Sequence, residues 1–128
     1  MHYNNLKYKK EDIFSCSETK LFKKNQIIYK EKEEIKNVFI ILDGMVESSS
    51  TEIPKNSFIL PKGSSLGFID IILGRPFSRN MTAKSIVSLA IIKRIEIENI
   101  LSLNAFSAAL IKSLVIDIDN KYPRNWSW

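Results

Sequence analysis

Hydrophobic positions between residues 21 and 95 occur in short β-branched and aromatic runs that are separated by turn residues. The runs are NQIIYK, NVFIIL, MVESSS, SFILP and IVSLAIIKRI. Several short strands at near-regular spacing are typical of an all-β sandwich or barrel. Asp43 and Gly44 lie between two of these runs and predict a tight hairpin, because glycine tolerates the positive φ that such a turn requires.

The hydrophobic period changes at Glu96, where helical spacing replaces the strand pattern. The stretch IEIENILSL predicts a short helix and NAFSAALIKSLVIDIDNKY predicts a longer one. Either Asn104 or Ser102 is suited to cap the longer helix, and Pro123 would end it. Its apolar stripe is interpreted most simply as packing on the barrel, the alternative being a contact surface; the stripe comprises Leu110, Ile111, Leu114 and Ile118.

These elements divide the chain into three segments. Residues 1–20 are predicted to form an N-terminal helical segment, residues 21–121 the main domain, and residues 122–128 a tail. The predicted fold class is mainly β with flanking helices.

Composition is that of one soluble globular domain with a core of its own. The 128 residues are 45% hydrophobic and 26% charged, and no apolar run approaches the length of about 18 residues that predicts a membrane span. The start is polar and Cys16 is the single cysteine, which favours a reducing compartment and a cytoplasmic location. The net charge of +5 comes from lysines interrupted by acids, so we expect a solvated face and no direct nucleic-acid binding by this segment.

Catalytic patterns are not found in the sequence, and we expect no enzyme. Metal enzymes built on β rolls need several histidines around the metal, whereas His2 is the single histidine here. No P-loop, nucleophile elbow or paired-carboxylate pattern occurs either. Asp70 is alone in an apolar run and is expected to cap a helix or to face water. Arg75, in a turn, is expected to face solvent.

Two stretches carry a resemblance to a known family. They are IKNVFIILDGMVE, residues 35–47, and LPKGSSLGFIDIILGRPFSRNMTAKS, residues 60–85. With them, the region from about residue 21 to residue 121 resembles the cyclic nucleotide-binding domain of catabolite activator-type regulators, protein kinase regulatory subunits and gated channels. Five residues of the second stretch fall in register with that family's phosphate-binding cassette: Gly63, Gly67, Gly74, Pro76 and Ala83. The resemblance implies a β jelly roll flanked by helices, with C-terminal helices that move when a ligand binds.

The resemblance also implies a cassette chemistry that this sequence keeps only in part. In the family, the amides of a short helix face the cyclic phosphate, a glutamate after the cassette glycine takes the ribose hydroxyl, and an arginine after the turn proline pairs with the phosphate. Gly67 is retained, but Phe68 stands at the glutamate position and Phe77 at the arginine position. Truncating a buried charge pair typically costs about 2–5 kcal/mol of binding, or roughly thirty- to several-thousand-fold in affinity. We therefore expect weak or no binding of cyclic AMP or cyclic GMP, and no cofactor.

Phe68 and Phe77 have two interpretations. The rings either wall an apolar pocket for a different ligand or fill the former pocket, and filling is simpler because an empty apolar cavity is costly. Arg79 lies two residues beyond the lost arginine, and an extended segment returns it to the same face. The hypothesis is that Arg79, with the amides near Gly67 and Ile69, receives a phosphate or carboxylate. The simpler interpretation is an exposed loop arginine.

Ser78 and Asn80 complete the candidate ligand site. Both side chains are able to donate to an anion, and both are also ordinary turn residues.

Two functions are consistent with this sequence. The first is a regulatory sensor domain that binds a small anionic or amphipathic molecule in the cassette and relays this through the C-terminal helices, as the effector module of a transcription regulator-like or larger signalling protein. The second is a ligand-free dimerisation or docking module, with the pocket filled by Phe68 and Phe77 and a homodimer formed through the C-terminal helix.

Overall fold

Eight strands and three helices make up the described part of the chain, which is residues 18–121 of this computed structural model. The strands are β1 (Glu18–Phe22), β2 (Ile27–Tyr29), β3 (Asn37–Asp43), β4 (Val46–Ser49), β5 (Phe58–Leu60), β6 (Ser65–Leu66), β7 (Asn80–Ala83) and β8 (Val87–Lys93). The helices are α1 (Phe68–Ile72), α2 (Arg94–Ser102) and α3 (Ala105–Lys121). The mainly β fold class with C-terminal helices is confirmed.

The strands form two four-stranded antiparallel sheets. One sheet has the order β1-β8-β3-β6 and the other has the order β2-β7-β4-β5. The chain therefore crosses between the sheets several times, as expected for a jelly roll. The inward-facing side chains form one hydrophobic core between the sheets.

The turn at Asp43 and Gly44 forms as predicted, but the hairpin prediction is wrong. Gly44 has φ of 93°, and a Cβ at this position would lie 2.4 Å from the carbonyl oxygen of Ile86. The strands on either side belong to different sheets, since β3 pairs with β8 and β6 whereas β4 pairs with β5 and β7. The residues of the turn determine that the chain reverses there, whereas long-range pairing determines which strands become neighbours.

Three strands were missing from the sequence prediction, namely β1, β6 and β7. β6 has only two residues, and β1 and β7 carry polar residues that weaken the alternating pattern. The predicted helical segment 1–20 lies outside the described residues except for residues 18–20, which belong to β1 and not to a helix. The predicted tail 122–128 also lies outside them.

The two C-terminal helices lie where the hydrophobic period predicted them. Asn104 caps α3, because its side-chain oxygen accepts a hydrogen bond of 3.0 Å from the Ser107 amide. The predicted apolar stripe is split between two faces: Ile111 is half-buried, whereas Leu110 and Leu114 are exposed. Val115 is the fully buried residue of the helix. Within residues 18–121 no single helix is long and apolar enough to cross a membrane, and α2 and α3 reach that length only as a pair bent by 119°.

Candidate functional site

The cassette begins where β6 passes into α1 through Gly67. Gly67 has φ of 88°, in the left-handed region that side chains disfavour, so the chain reverses from strand into helix there at little steric cost. A second turn after α1 contains Gly74, Arg75 and Pro76 and leads through Phe77 into β7. This strand–helix–turn–strand order brings Phe77 against Gly67 and Ser78 against Asp70.

The Phe77 ring occupies the space directly in front of Gly67. A Cβ built on Gly67 would lie 2.6 Å from Phe77 Cε1, closer than real Cβ atoms approach any neighbour. The Phe77 ring also stacks on Tyr29, with ring centroids 3.6 Å apart and planes 10° apart. Only 6% of Phe77 is exposed. Phe77 therefore points into the roll and fills the volume beside the cassette glycine.

Phe68 has a different position from Phe77. It is half-buried on the hydrophobic core and lines a cavity of about 200 Å³ together with Gly67, Leu60, Ile69 and Met81. Ser65 and Asp70 are the polar residues of that cavity lining. Small-molecule pockets usually measure about 300–1,000 Å³. Phe77 thus fills the region beside Gly67, and Phe68 forms part of the wall of the small cavity that remains.

Arg79 is buried, so its interpretation as an exposed loop arginine is wrong. Only 1% of the residue is exposed, because it shares an inner face of the roll with Phe77 and Met81. Its Nε donates to Ser48 Oγ at 2.6 Å, and Nη2 donates to the Asn56 carbonyl. The third nitrogen, Nη1, is buried and has no hydrogen-bond partner among residues 18–121. Period-two alternation correctly placed Arg79 on the same face as Phe77.

Asp70 and Arg75 form a network that joins the cassette to α3. The Asp70 carboxylate, 4% exposed as a residue, accepts bonds from Arg75 Nε at 2.6 Å and from the amide and hydroxyl of Ser78, each at 3.0 Å. Arg75 also donates to both carboxylate oxygens of Asp119 in α3, at 3.1 and 2.9 Å. Burial alone would lower the pKa of Arg75, but the carboxylates of Asp119 and Asp70 raise it above its ordinary value.

The expectations for Asp70 and Arg75 are therefore wrong. Asp70 neither caps a helix through its side chain nor faces water, and Arg75 is not solvent-facing, because each is the other's ion-pair partner. Ser78 is held by Asp70 in the same network.

Asn80 is engaged with Glu31 and Thr51. Its Oδ1 accepts from the Glu31 amide at 2.9 Å, and its Nδ2 donates to Glu31 Oε1 and to Thr51 Oγ1, both at 3.2 Å. Partial burial would raise the pKa of Glu31, but hydrogen bonds from Thr51 and Asn80 outweigh it and lower that pKa. Ser78 and Asn80 thus both have protein partners.

The family of the chain follows from a match of its sequence to a family model. Residues 19–104 match the family model described as the cyclic nucleotide-binding domain, which is more than half of the chain. The chain belongs to the cyclic nucleotide-binding domain family. No curated protein matches it in sequence.

Solved structures share the fold of this cyclic nucleotide-binding domain at low sequence identity. The EAL enzyme Bd1971 in its cAMP-bound form matches with a TM-score of 0.67 and 23% identity over 81% of this chain and 29% of that one. The regulatory subunit of a cAMP-independent protein kinase A from Trypanosoma brucei matches with a TM-score of 0.57 and 22% identity over 61% of this chain and 28% of that one. This domain therefore spans less than a third of either chain.

A third structure is closer to the domain in size. A putative cyclic nucleotide-binding protein from Geobacter metallireducens GS-15 matches with a TM-score of 0.66 and 18% identity, over 91% of this chain and 87% of that one.

Several residues of the domain's site were not found by sequence reasoning. They are Tyr29, which stacks on Phe77; Ser48, which binds Arg79; and Asp119, which binds Arg75. Only Tyr29 had a usable signal, because it closes the apolar run IIY of β2. Ser48 and Asp119 lie 31 and 44 residues from their partners, so no local pattern relates them.

Proposed function

We propose that this chain is a non-catalytic regulatory domain that binds cyclic AMP and cyclic GMP weakly or not at all. It would serve as the effector module of a larger signalling or transcription regulator-like protein. The main support is the position of Phe77, whose ring lies over Gly67 and stacks on Tyr29. A cyclic phosphate approaching Gly67 would have to displace that buried ring.

Charge also disfavours a cyclic nucleotide in this cassette. A phosphate needs a cation at the position after the turn proline, where this chain has Phe77. Arg75 is paired with two carboxylates, and Arg79 directs two of its three nitrogens to Ser48 and Asn56. Phe68 offers no acceptor for a ribose hydroxyl. The regulatory subunit of a protein kinase A that is named cAMP-independent has the same fold, which is consistent with this role.

Thermal unfolding with cyclic AMP and cyclic GMP tests the proposal. We expect no rise in Tm for the native sequence, since only a ligand that binds the folded state stabilises it. The double variant Phe68→Glu with Phe77→Arg restores an acceptor and a cation and is expected to gain binding. Phe77→Leu with Phe68 unchanged is the matched control, because it removes the ring without adding charge. A nucleotide-dependent rise in Tm of the native protein would contradict the proposal.

We propose homodimerisation through α3 as a second function, because this helix turns apolar residues to solvent. Phe106 is 78% exposed, Leu110 52% and Leu114 56%. They recur at helical spacing, whereas Val115 on the same helix is buried. Light scattering should give a dimer for the native protein and a monomer for Leu110→Glu, with Ser113→Glu as the control on the same helix. A monomeric native protein would rule this function out.

A further inference from the structure

Arg79 is a permanent cation in the interior of the roll, and no anionic partner for it occurs among the described residues. Its residue exposure is 1%, and its hydrogen-bond acceptors are the neutral Ser48 hydroxyl and the Asn56 carbonyl. Its guanidinium carbon lies 4.9 Å from the centroid of the Phe58 ring. Within residues 18–121 no carboxylate lies in ion-pair contact with it. In this part of the chain Nη1 therefore keeps its N–H donors buried and unused.

The fold retains the charge of Arg79 in its interior, although burying a charge without a counterion is unfavourable to stability. Burying an ion without a counterion is costly because its hydration is lost, and guanidinium cannot escape by losing its proton in a protein. The acidic influence on Arg79 comes from Glu31, whose carboxylate is held by Thr51 and Asn80 and acts on the guanidinium only through space. An anion that reaches Nη1 would regain the missing interaction.

A largely apolar cavity lies further along the same inner face, and the one charged residue of its lining, Asp70, is paired with Arg75. Arg79 is followed two residues later by Met81 in β7, and in β5 Phe58 is followed two residues later by Leu60. Met81 and Leu60 line the cavity of about 200 Å³. Residues two apart on a strand are about 7 Å apart on one face. Strand spacing therefore places the cavity lining about 7 Å along this face from Arg79. Ser48 in β4 is paired with both Phe58 and Met81.

We propose that the interior of the roll binds a small organic carboxylate with an apolar body. The carboxylate would accept hydrogen bonds from Arg79 Nη1 and from the Ser48 hydroxyl, which already accepts from Nε and retains its own proton to donate. The apolar body would occupy the cavity between Leu60 and Phe68. A cavity of about 150 Å³ is known to hold benzene, so a body of one ring fits this volume.

The cavity is open to the surface at one side. Ser65, an exposed residue, lies in the lining of the cavity, which therefore meets solvent there. Met81 lines the cavity and is two residues from Arg79, and its unbranched thioether side chain adapts readily to a neighbour. The biological role of this ligand rests on the proposed regulatory function, whereas its binding does not.

Calorimetric titration and thermal unfolding with benzoate test the inference. We expect benzoate to bind and to raise Tm, and Arg79→Gln to weaken binding about ten- to a hundred-fold, as loss of a charge-assisted bond does. Leu60→Phe fills the cavity, keeps the cation and should also abolish binding, so the test stands even if Arg79→Gln fails to fold. Arg94→Gln is the matched control, since it removes a more exposed guanidinium paired with Glu98.

The probe series separates the alternatives. Equal stabilisation by chloride or inorganic phosphate, with Leu60→Phe unaffected, would overturn the inference in favour of a simple anion site. Equal binding of the neutral benzyl alcohol would overturn it by showing that the charge of Arg79 is not used. Absence of any benzoate effect would overturn it while leaving the proposed function intact. A rise in Tm with cyclic AMP would instead refute the proposed function, whatever benzoate does.

Discussion

The close approach of Phe77 to Gly67 makes Gly67→Ala the sharpest test of the cassette geometry. The substitution adds a Cβ that meets two separate penalties. At φ of 88° any side chain is strained, which for a left-handed alanine costs about 1–2 kcal/mol. The new Cβ would also lie 2.6 Å from Phe77 Cε1, and overpacking of a filled core typically costs about 1–3 kcal/mol. Together they predict a loss of about 2–5 kcal/mol in the free energy of unfolding.

The two penalties separate in a double-mutant cycle with Phe77→Leu. Leucine lacks the Cε1 atom of the ring, and the next nearest ring atom, Cδ1, is at an acceptable 3.4 Å from the added Cβ. In a protein that already carries Phe77→Leu, Gly67→Ala should therefore cost only the backbone part, about 1–2 kcal/mol. The coupling energy between the two sites is then about 1–3 kcal/mol, well above the usual error of additivity.

Gly63→Ala is a control within the same protein. Gly63 has φ of 91°, nearly that of Gly67, but no atom of the described residues lies within 4 Å of an added Cβ. Urea unfolding followed by circular dichroism gives each free energy from the midpoint and slope of the transition. If Gly67→Ala costs no more than Gly63→Ala, or costs the same with and without Phe77→Leu, the ring does not lie on Gly67 and the filled cassette is refuted.

Two further predictions concern the polar contacts of the site. Arg75→Gln should destabilise the domain by about 3 kcal/mol, because it leaves a buried carboxylate without its cation, and it should speed amide exchange in α3. Lys121→Gln breaks an exposed ion pair and should change neither the stability nor the exchange rate, so equal effects of the two substitutions would contradict the network. The pKa of Glu31 is lowered in the folded protein, so its hydrogen bonds stabilise the fold at a pH above the ordinary pKa of 4.5. This stabilisation is lost as the pH falls through the lower pKa that Glu31 has in the folded state. The stability difference between native protein and Glu31→Gln, measured by urea titration, should therefore shrink below pH 4.5; a difference independent of pH would refute the assignment.

The sequence predicted most of the elements that surround the site. The runs that became β2, β3, β4, β5 and β8 are apolar and bounded by turn residues, and the helical period located α2 and α3 within one or two residues. Strand alternation placed Arg79 on the same face as Phe77, and the resemblance to the family placed Phe77 beside the cassette glycine. The sheet partners did not follow, because the turn at Gly44 specifies a reversal and not which strand pairs with which.

The polar interior was the part that the sequence could not predict. Arg79 looked like a loop residue because its partner Ser48 lies in β4 and its other acceptor is a main-chain carbonyl, which no side-chain pattern marks. Asp70 looked isolated because its apolar neighbours are local, whereas Arg75 and Ser78 reach it only after the chain turns at Gly74. The contacts of Arg79 with Ser48 and of Arg75 with Asp119 are remote in sequence, whereas the pairing of Asp70 depends on the turn that brings Arg75 back to it.

The bidentate contact between Arg75 and Asp119 makes α3 and the cassette thermodynamically dependent on each other. Free-energy coupling between two sites is reciprocal. If a binding event that draws Asp119 away changes the affinity of the roll interior, an interior ligand changes the affinity at α3 by the same factor. In the proposed regulatory role, a protein that engages α3 is therefore as able to be the input as a molecule held between the sheets.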